Sequence, residues 1–251
     1  MSDESQVAQG IAAFFDIDGT LVPEPSLERR MFRELRHSRA IPLLNYARWG
    51  VEAIRLLPRG LSMISQGNKK YLRGLRGEAV LETVAPMSFF EEGVARVEWH
   101  ARQGHEIVLV SGMVKPVARL AAVALECELE ARGLEREIHV SATRLEERGG
   151  AFTGRIVGAP NFGEAKGRAL HTFARAMQID LHGSHAYGNS LRDVPMFEAV
   201  GRAHAVNPGK ELARVACQRD WPIWHWHHEK SPTSGRALLE RAKFQIIGTR
   251  T

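Results

Sequence analysis

Five short apolar runs recur along the 251 residues, at 11–16, 107–110, 138–141, 184–187 and 203–206. Each ends in a polar or glycine-bearing turn, and residues 221–226 offer one more strand. The runs are continuous rather than alternating, which suits strands of a parallel sheet covered on both faces. Helical periodicity at 91–103, 114–132, 163–178, 192–200 and 209–218 lies between them. This succession predicts an α/β fold with a doubly wound parallel sheet.

One stretch breaks the alternation. Between the first two strands, residues 24–88 read as helices at roughly 26–37, 41–57, 61–75 and 78–85, punctuated by Pro42, Pro58, Gly60 and Pro86. An insertion after the first strand of such a sheet sits over the carboxyl ends of the strands, where ligands bind. The expected organisation is a core of 11–23 and 89–228, a helical cap of 24–88, and terminal tails at 1–10 and 229–251. Leu44, Ala47, Val51 and Ile54 recur at helical spacing and give the second helix one apolar stripe; that helix, which also carries Tyr46, Arg48, Trp49 and Arg55, is expected to pack within the cap. An interfacial helix is the alternative for that segment. A smaller insertion at 143–157, centred on Gly149-Gly150, reads as a β-hairpin.

Composition narrows the class. No apolar stretch approaches the ~20 residues that span a bilayer, and the polar N-terminus lacks a signal pattern, so stable membrane insertion is not expected and the cytoplasm is the default. Cys127 and Cys217 make no disulfide framework. The net charge of +5 favours anionic partners, but the basic residues form no stripe or reading motif of a nucleic-acid binder. A small phosphorylated metabolite, or a transient membrane contact, fits that charge. The stretch Trp224–His228 (WHWHH) invites a metal reading through His225 and His227, but no acid or thiol beside it completes a site.

The chemistry-bearing residues stand at or just beyond strand ends or at the start of the next helix: Asp16 and Asp18, Ser111 with Gly112, Lys166, and Asn189 with Asp193. In a parallel sheet these positions converge on one crevice. Carboxylates and an amide oxygen form a hard donor set suited to Mg²⁺. Ser111-Gly112 ahead of a helix would hold a phosphate oxygen, and Lys166 adds a positive charge.

The blocks FFDIDGT, VLVSG, GEAKGRAL and YGNSLRDVPMF, in this order, resemble the haloacid dehalogenase superfamily of phosphatases. The resemblance is to its phosphoserine-phosphatase-like subgroup, with a helical cap after the first strand, and covers about 11–226. It implies Asp16 as nucleophile forming an aspartyl-phosphate, and Asp18 as the acid and base. Mg²⁺ would be held by Asp16, the Asp18 carbonyl and Asn189, with Asp193 direct or through water. Ser111, Gly112 and Lys166 would bind the phosphoryl group. Two departures stand out. Many members carry Asp where this chain has Asn189. The cap residues that read phosphoserine are matched only loosely, by Glu24 and Arg73. The substrate is therefore open among phosphoserine-like, polyol and lipid-like phosphates. A phosphomutase, or a phosphate-binding or phospho-acceptor module without turnover, is the alternative.

Overall fold

The computed structural model describes residues 10–229 and 235–247. In chain order it has β1 (Ala12–Phe15), α1 (Leu27–His37), α2 (Leu43–Leu56), α3 (Leu61–Gly67), α4 (Gly77–Glu82) and α5 (Glu91–Arg102). There follow β2 (Glu106–Val114), α6 (Lys115–Glu130), β3 (Ile138–Thr143), β4 (Leu145–Arg148), β5 (Ala151–Ile156) and α7 (Glu164–Met177). The chain continues through β6 (His185–Gly188), α8 (Val194–Glu198), β7 (Arg202–Val206), α9 (Lys210–Gln218), β8 (Ile223–Trp224) and α10 (Gly235–Ile247). Six strands form one sheet in the order β3-β2-β1-β6-β7-β8, every neighbouring pair parallel. The order reverses beside β1, and the crevice of an open parallel sheet lies at that switch point.

The continuous apolar run of β1 is explained by its central place. Ala12, Ala13, Phe14 and Phe15 are all fully buried. Strand alternation sends Ala13 and Phe15 into one core layer with α5 and α6, and Ala12 and Phe14 into the other with α7, α8 and α9. At the amino-terminal edge of the sheet, His100 bonds His105 (2.8 Å) and the Tyr187 hydroxyl (2.9 Å), and His185 lies 3.2 Å from His204.

Several boundaries differ from the sequence reading. β2 runs on to Val114, because Ser111 and Val114 stay paired with Ala142 and Thr143 of β3 across a bulge. The helix expected over 61–75 breaks at Asn68, whose buried amide donates to the Trp49 carbonyl at 2.8 Å instead of extending the helix. The stretch expected as a tail at 229–251 holds α10, where Leu238 and Ala242 pack into the core one helical turn apart. Residues 1–9, 230–234 and 248–251 of the expected tails lie outside the described residues.

α2 packs within the cap through Tyr46 and Trp49, as expected, but its apolar stripe looks outward. Val51 and Ile54, with Leu43 and Leu44, are exposed, while Asn45 and Leu56 are the buried side chains of the helix. The reason is polar. The Asn45 amide donates to the carbonyls of Tyr71 (3.3 Å) and Arg73 (2.7 Å), which fixes that face inward. The small hairpin β4–β5 braces the same region: Phe152 exchanges backbone hydrogen bonds with Gly74 (2.8 Å) and Leu75 (2.9 Å).

Candidate active site

Asp16 leaves the end of β1 with its own N–H bonded to the Tyr187 carbonyl of β6 at 2.9 Å. The chain then turns tightly, the N–H groups of Leu21 and Val22 both donating to the Ile17 carbonyl at 2.9 Å. Gly19 sits in this turn at φ +77, and a Cβ there would lie 1.9 Å from the Asn189 amide nitrogen. Glycine is therefore required twice, for the left-handed backbone and for the close approach of Asn189.

A cavity of ≈ 190 Å³ opens at this end of the sheet, and Asp16, Asp18, Lys166, Asn189 and Asp193 all line it. Lys166, in the first turn of α7, is the centre of the charge balance. Its ammonium donates at 2.6 Å to Asp16 Oδ1 and at 2.6 Å to Asp193 Oδ1, and all three side chains are buried. Burial works against the lysine's charge, but the two carboxylates outweigh it and raise its pKa above the ordinary lysine value. Burial pushes Asp16 up to about 6, with Lys166 pulling down and Asp193 pushing up. Asp18 is pushed up to about 7 by burial, against the hydrogen bond its Oδ1 accepts from the Leu27 N–H at 2.7 Å.

Asp193 is fully engaged by protein groups. Its Oδ2 accepts from the N–H of Asn189 (3.1 Å), the N–H of Ser190 (2.9 Å) and the Ser190 hydroxyl (2.9 Å), while Oδ1 holds Lys166. These bonds leave Asp193 as an orienting group behind Asn189. Among the other oxygens lining the cavity, those of Asp16, Asp18 and Asn189 come from the core and those of Glu24 and Glu28 from the cap side, a set that fits a hard divalent cation better than a soft one.

Ser111 and Gly112 behave differently from the expectation for a helix-start phosphate site. Ser111 is 3% exposed and does not line the cavity; its hydroxyl accepts from the Met113 N–H at 3.3 Å. Because the strand continues to Val114, that residue and not Ser111 precedes α6. Met113 lines the cavity instead, and Gly112 lies beneath Gln66, whose side-chain oxygen a Cβ at Gly112 would meet at 2.8 Å.

Of the two cap residues, Glu24 lines the cavity, whereas exposed Arg73 stands away from it. Among the lining residues that the sequence reading passed over are Glu28, Gln66 and Arg192. Glu28 is held by the buried Lys69 ammonium and by the Tyr71 hydroxyl at 2.9 Å. No local pattern marked Glu28, because the burial of Lys69 opposite it is a product of the fold. Asn161 was also missed; its amide clasps the Ser141 (2.8 Å) and Ser111 (3.3 Å) carbonyls and so ties β2 to β3 beside the site. Of the WHWHH stretch, the His225 and His227 rings stack on each other, and His228 pairs with Glu92 at 2.7 Å.

Comparison with known proteins identifies the family. A family model described as haloacid dehalogenase-like hydrolase matches residues 13–198. The protein of Streptomyces azureus called Inhibition of morphological differentiation protein is 30% identical over 233 residues, 86% of this chain and 78% of that protein. Phosphoserine phosphatase SerB1 of Mycobacterium tuberculosis is 29% identical over 224 residues, 84% of this chain and 70% of that protein. A solved structure of a protein with unknown function from Bordetella pertussis Tohama I has a TM-score of 0.66 at 26% identity, covering 86% of this chain and 98% of that one. With the family match extending over most of the sheet and every cavity-lining carboxylate of the core, the chain belongs to the haloacid dehalogenase-like hydrolases.

Proposed function

We propose that the chain is a Mg²⁺-dependent phosphatase that hydrolyses a small organic phosphate monoester through an aspartyl-phosphate on Asp16. The observation that carries the reading is the convergence of Asp16, Asp18, Lys166 and Asn189 on one cavity, with Lys166 bridging Asp16 and Asp193. The helices between β1 and α5, within 24–88, act as its cap, since Glu24, Ser26, Glu28 and Gln66 close the cavity from that side.

Asp16, the Asp18 main-chain carbonyl and Asn189 would hold the ion. When bound, Mg²⁺ supplies positive charge against the phosphoryl oxygens. Lys166 holds Asp16 Oδ1, so Oδ2, which accepts a long 3.5 Å hydrogen bond from the Thr20 hydroxyl, is the oxygen that attacks phosphorus. As the new O–P bond forms, the bond to the leaving oxygen breaks, and Asp18 gives that oxygen its proton. Asp18 then takes a proton from the water that attacks the aspartyl-phosphate, which releases inorganic phosphate and restores Asp16. Throughout, Lys166 offsets the negative charge that Asp16, Asp193 and the phosphoryl group bring together.

The test is Asp16→Asn assayed with p-nitrophenyl phosphate and Mg²⁺. Hydrolysis should fall to background with the circular dichroism spectrum unchanged; turnover retained by this variant removes Asp16 as nucleophile. Acid-trapped phosphate on the wild-type chain without net release would instead favour a phospho-acceptor without turnover.

A further inference from the structure

Six of the ten exposed large apolar side chains among the described residues lie within 43–61: Leu43, Leu44, Val51, Ile54, Leu57 and Leu61. Their exposure is high, 86% at Leu43, 73% at Ile54 and 77% at Leu61. On α2 the spacing 43, 44, 51 and 54 places the four residues on one side of the helix. This outward stripe is held outward by the Asn45 hydrogen bonds on the opposite face. A contiguous exposed apolar patch of this kind marks an interaction surface.

Charge selects its partner. The segment 43–67 carries Arg48, Arg55 and Arg59 against a single acid, Glu52. Arg55 and Arg59 are exposed, on the same stretch of chain as the apolar stripe. Apolar side chains flanked by arginines suit an anionic phospholipid surface, in which the helix lies along the interface. No helix among the described residues is long and apolar enough to cross a membrane. The patch also leads to the site. α3 begins at exposed Leu61 and places Gln66 on the cavity wall five residues later, roughly 7.5 Å along the helix axis. The cavity itself is polar and small, ≈ 190 Å³, room for a phosphate head but not for an acyl chain.

We infer that the α2–α3 face of the cap docks on an anionic phospholipid surface, and that the substrate is a phosphate monoester of an amphiphile resident there. The substrate half of this inference rests on the proposed phosphatase reading; the docking half does not.

The experiment is co-sedimentation of the full chain with vesicles of phosphatidylcholine and phosphatidylglycerol, and with phosphatidylcholine alone. Wild type should partition onto the anionic vesicles and be released by high salt. Leu43→Gln/Ile54→Gln, which alters two exposed side chains remote from the cavity, should lower that partition at least tenfold while hydrolysing p-nitrophenyl phosphate at the wild-type rate. In a second arm, lysophosphatidate in the same vesicles should release phosphate with wild type and at least tenfold more slowly with the double variant. No partition of wild type, or equal partition of the two proteins, overturns the docking surface. A dimer in light scattering that the double variant abolishes, without vesicle binding, assigns the face to a second copy and also overturns it. Vesicle binding with p-nitrophenyl phosphate turnover but no release from the lipid overturns the substrate class. Vesicle binding with no turnover of either ester sinks the phosphatase reading and leaves the docking surface supported.

Discussion

Lys166→Met isolates the charge balance on which the site depends. The lysine is 3% exposed and donates at 2.6 Å to each of two buried carboxylates. Methionine has a similar length, so the variant removes charge while leaving little cavity. Removing one partner of a buried ion pair costs about 3–5 kcal/mol, because the remaining charge has neither water nor a counter-ion. Asp16 loses its charge partner here, while Asp193 keeps the three donors on its Oδ2, so the metal-free variant should lose about 3–5 kcal/mol near pH 8. Protonation is the escape. Burial already pushes Asp16 up to about 6 while the lysine opposes it, and without the lysine it rises further. A carboxyl raised in the folded state contributes stability that is present at low pH and lost as pH rises through the folded pKa. The deficit of the variant should therefore shrink on acidification. It shrinks by about 1.4 kcal/mol for each pH unit over which the variant holds a proton that wild type does not. Urea denaturation in EDTA near pH 8 and pH 6 reads both quantities. A deficit below about 1 kcal/mol near pH 8, or one of equal size at both pH values, refutes the argument. The same variant should lose about a hundredfold or more in kcat, as expected when a transition-state charge stabiliser is removed.

Asn189→Asp should bind Mg²⁺ about tenfold more tightly, since a full charge replaces an amide dipole; unchanged affinity by calorimetry removes Asn189 from the ligand set. Gly167→Ala should cost about 1–3 kcal/mol, because the new Cβ would lie 2.7 Å from the Pro195 carbonyl, where α7 meets α8; an unchanged Tm refutes that close approach. His100, fully buried, is pushed down to about 2 by burial and by the neighbouring His185 and His105. A histidine kept neutral by the fold stabilises it above the unfolded pKa of ~6.5 and loses that contribution as pH falls, by about 2 kcal/mol at pH 5. The stability difference between wild type and His100→Asn should shrink by that amount from pH 7 to pH 5, and a pH-independent difference would sink the assignment.

How far a feature can be read from sequence depends on the range of the forces that create it. β1 and the turn at Asp16-Ile17-Asp18-Gly19 were legible because a buried parallel strand needs a continuous apolar run, and the turn needs Gly19 within the same few residues. Lys166, Asn189 and Asp193 were legible because each follows a local strand or opens a local helix, and sheet topology then carries such positions to one edge. The hairpin around Gly149-Gly150 was equally local: both glycines take positive φ.

What the chain could not declare locally was decided by partners distant in sequence. Ser111 sits inside a strand rather than at a helix start because β3 holds β2 in register as far as Val114. Gln66 rather than Arg73 reaches the site because Asn68 gives its amide to Trp49 and ends α3 early. The stripe of α2 was visible as a pattern, but periodicity reports only that apolar residues share a face, not which way the face looks. By itself the sequence determined the layered α/β core and the acids that converge at its switch point, because those rest on local pattern and chain order. The tertiary structure alone decided that two hydrogen bonds from Asn45 turn the α2 stripe toward solvent, because a buried amide must find its partners before an apolar face can choose its side.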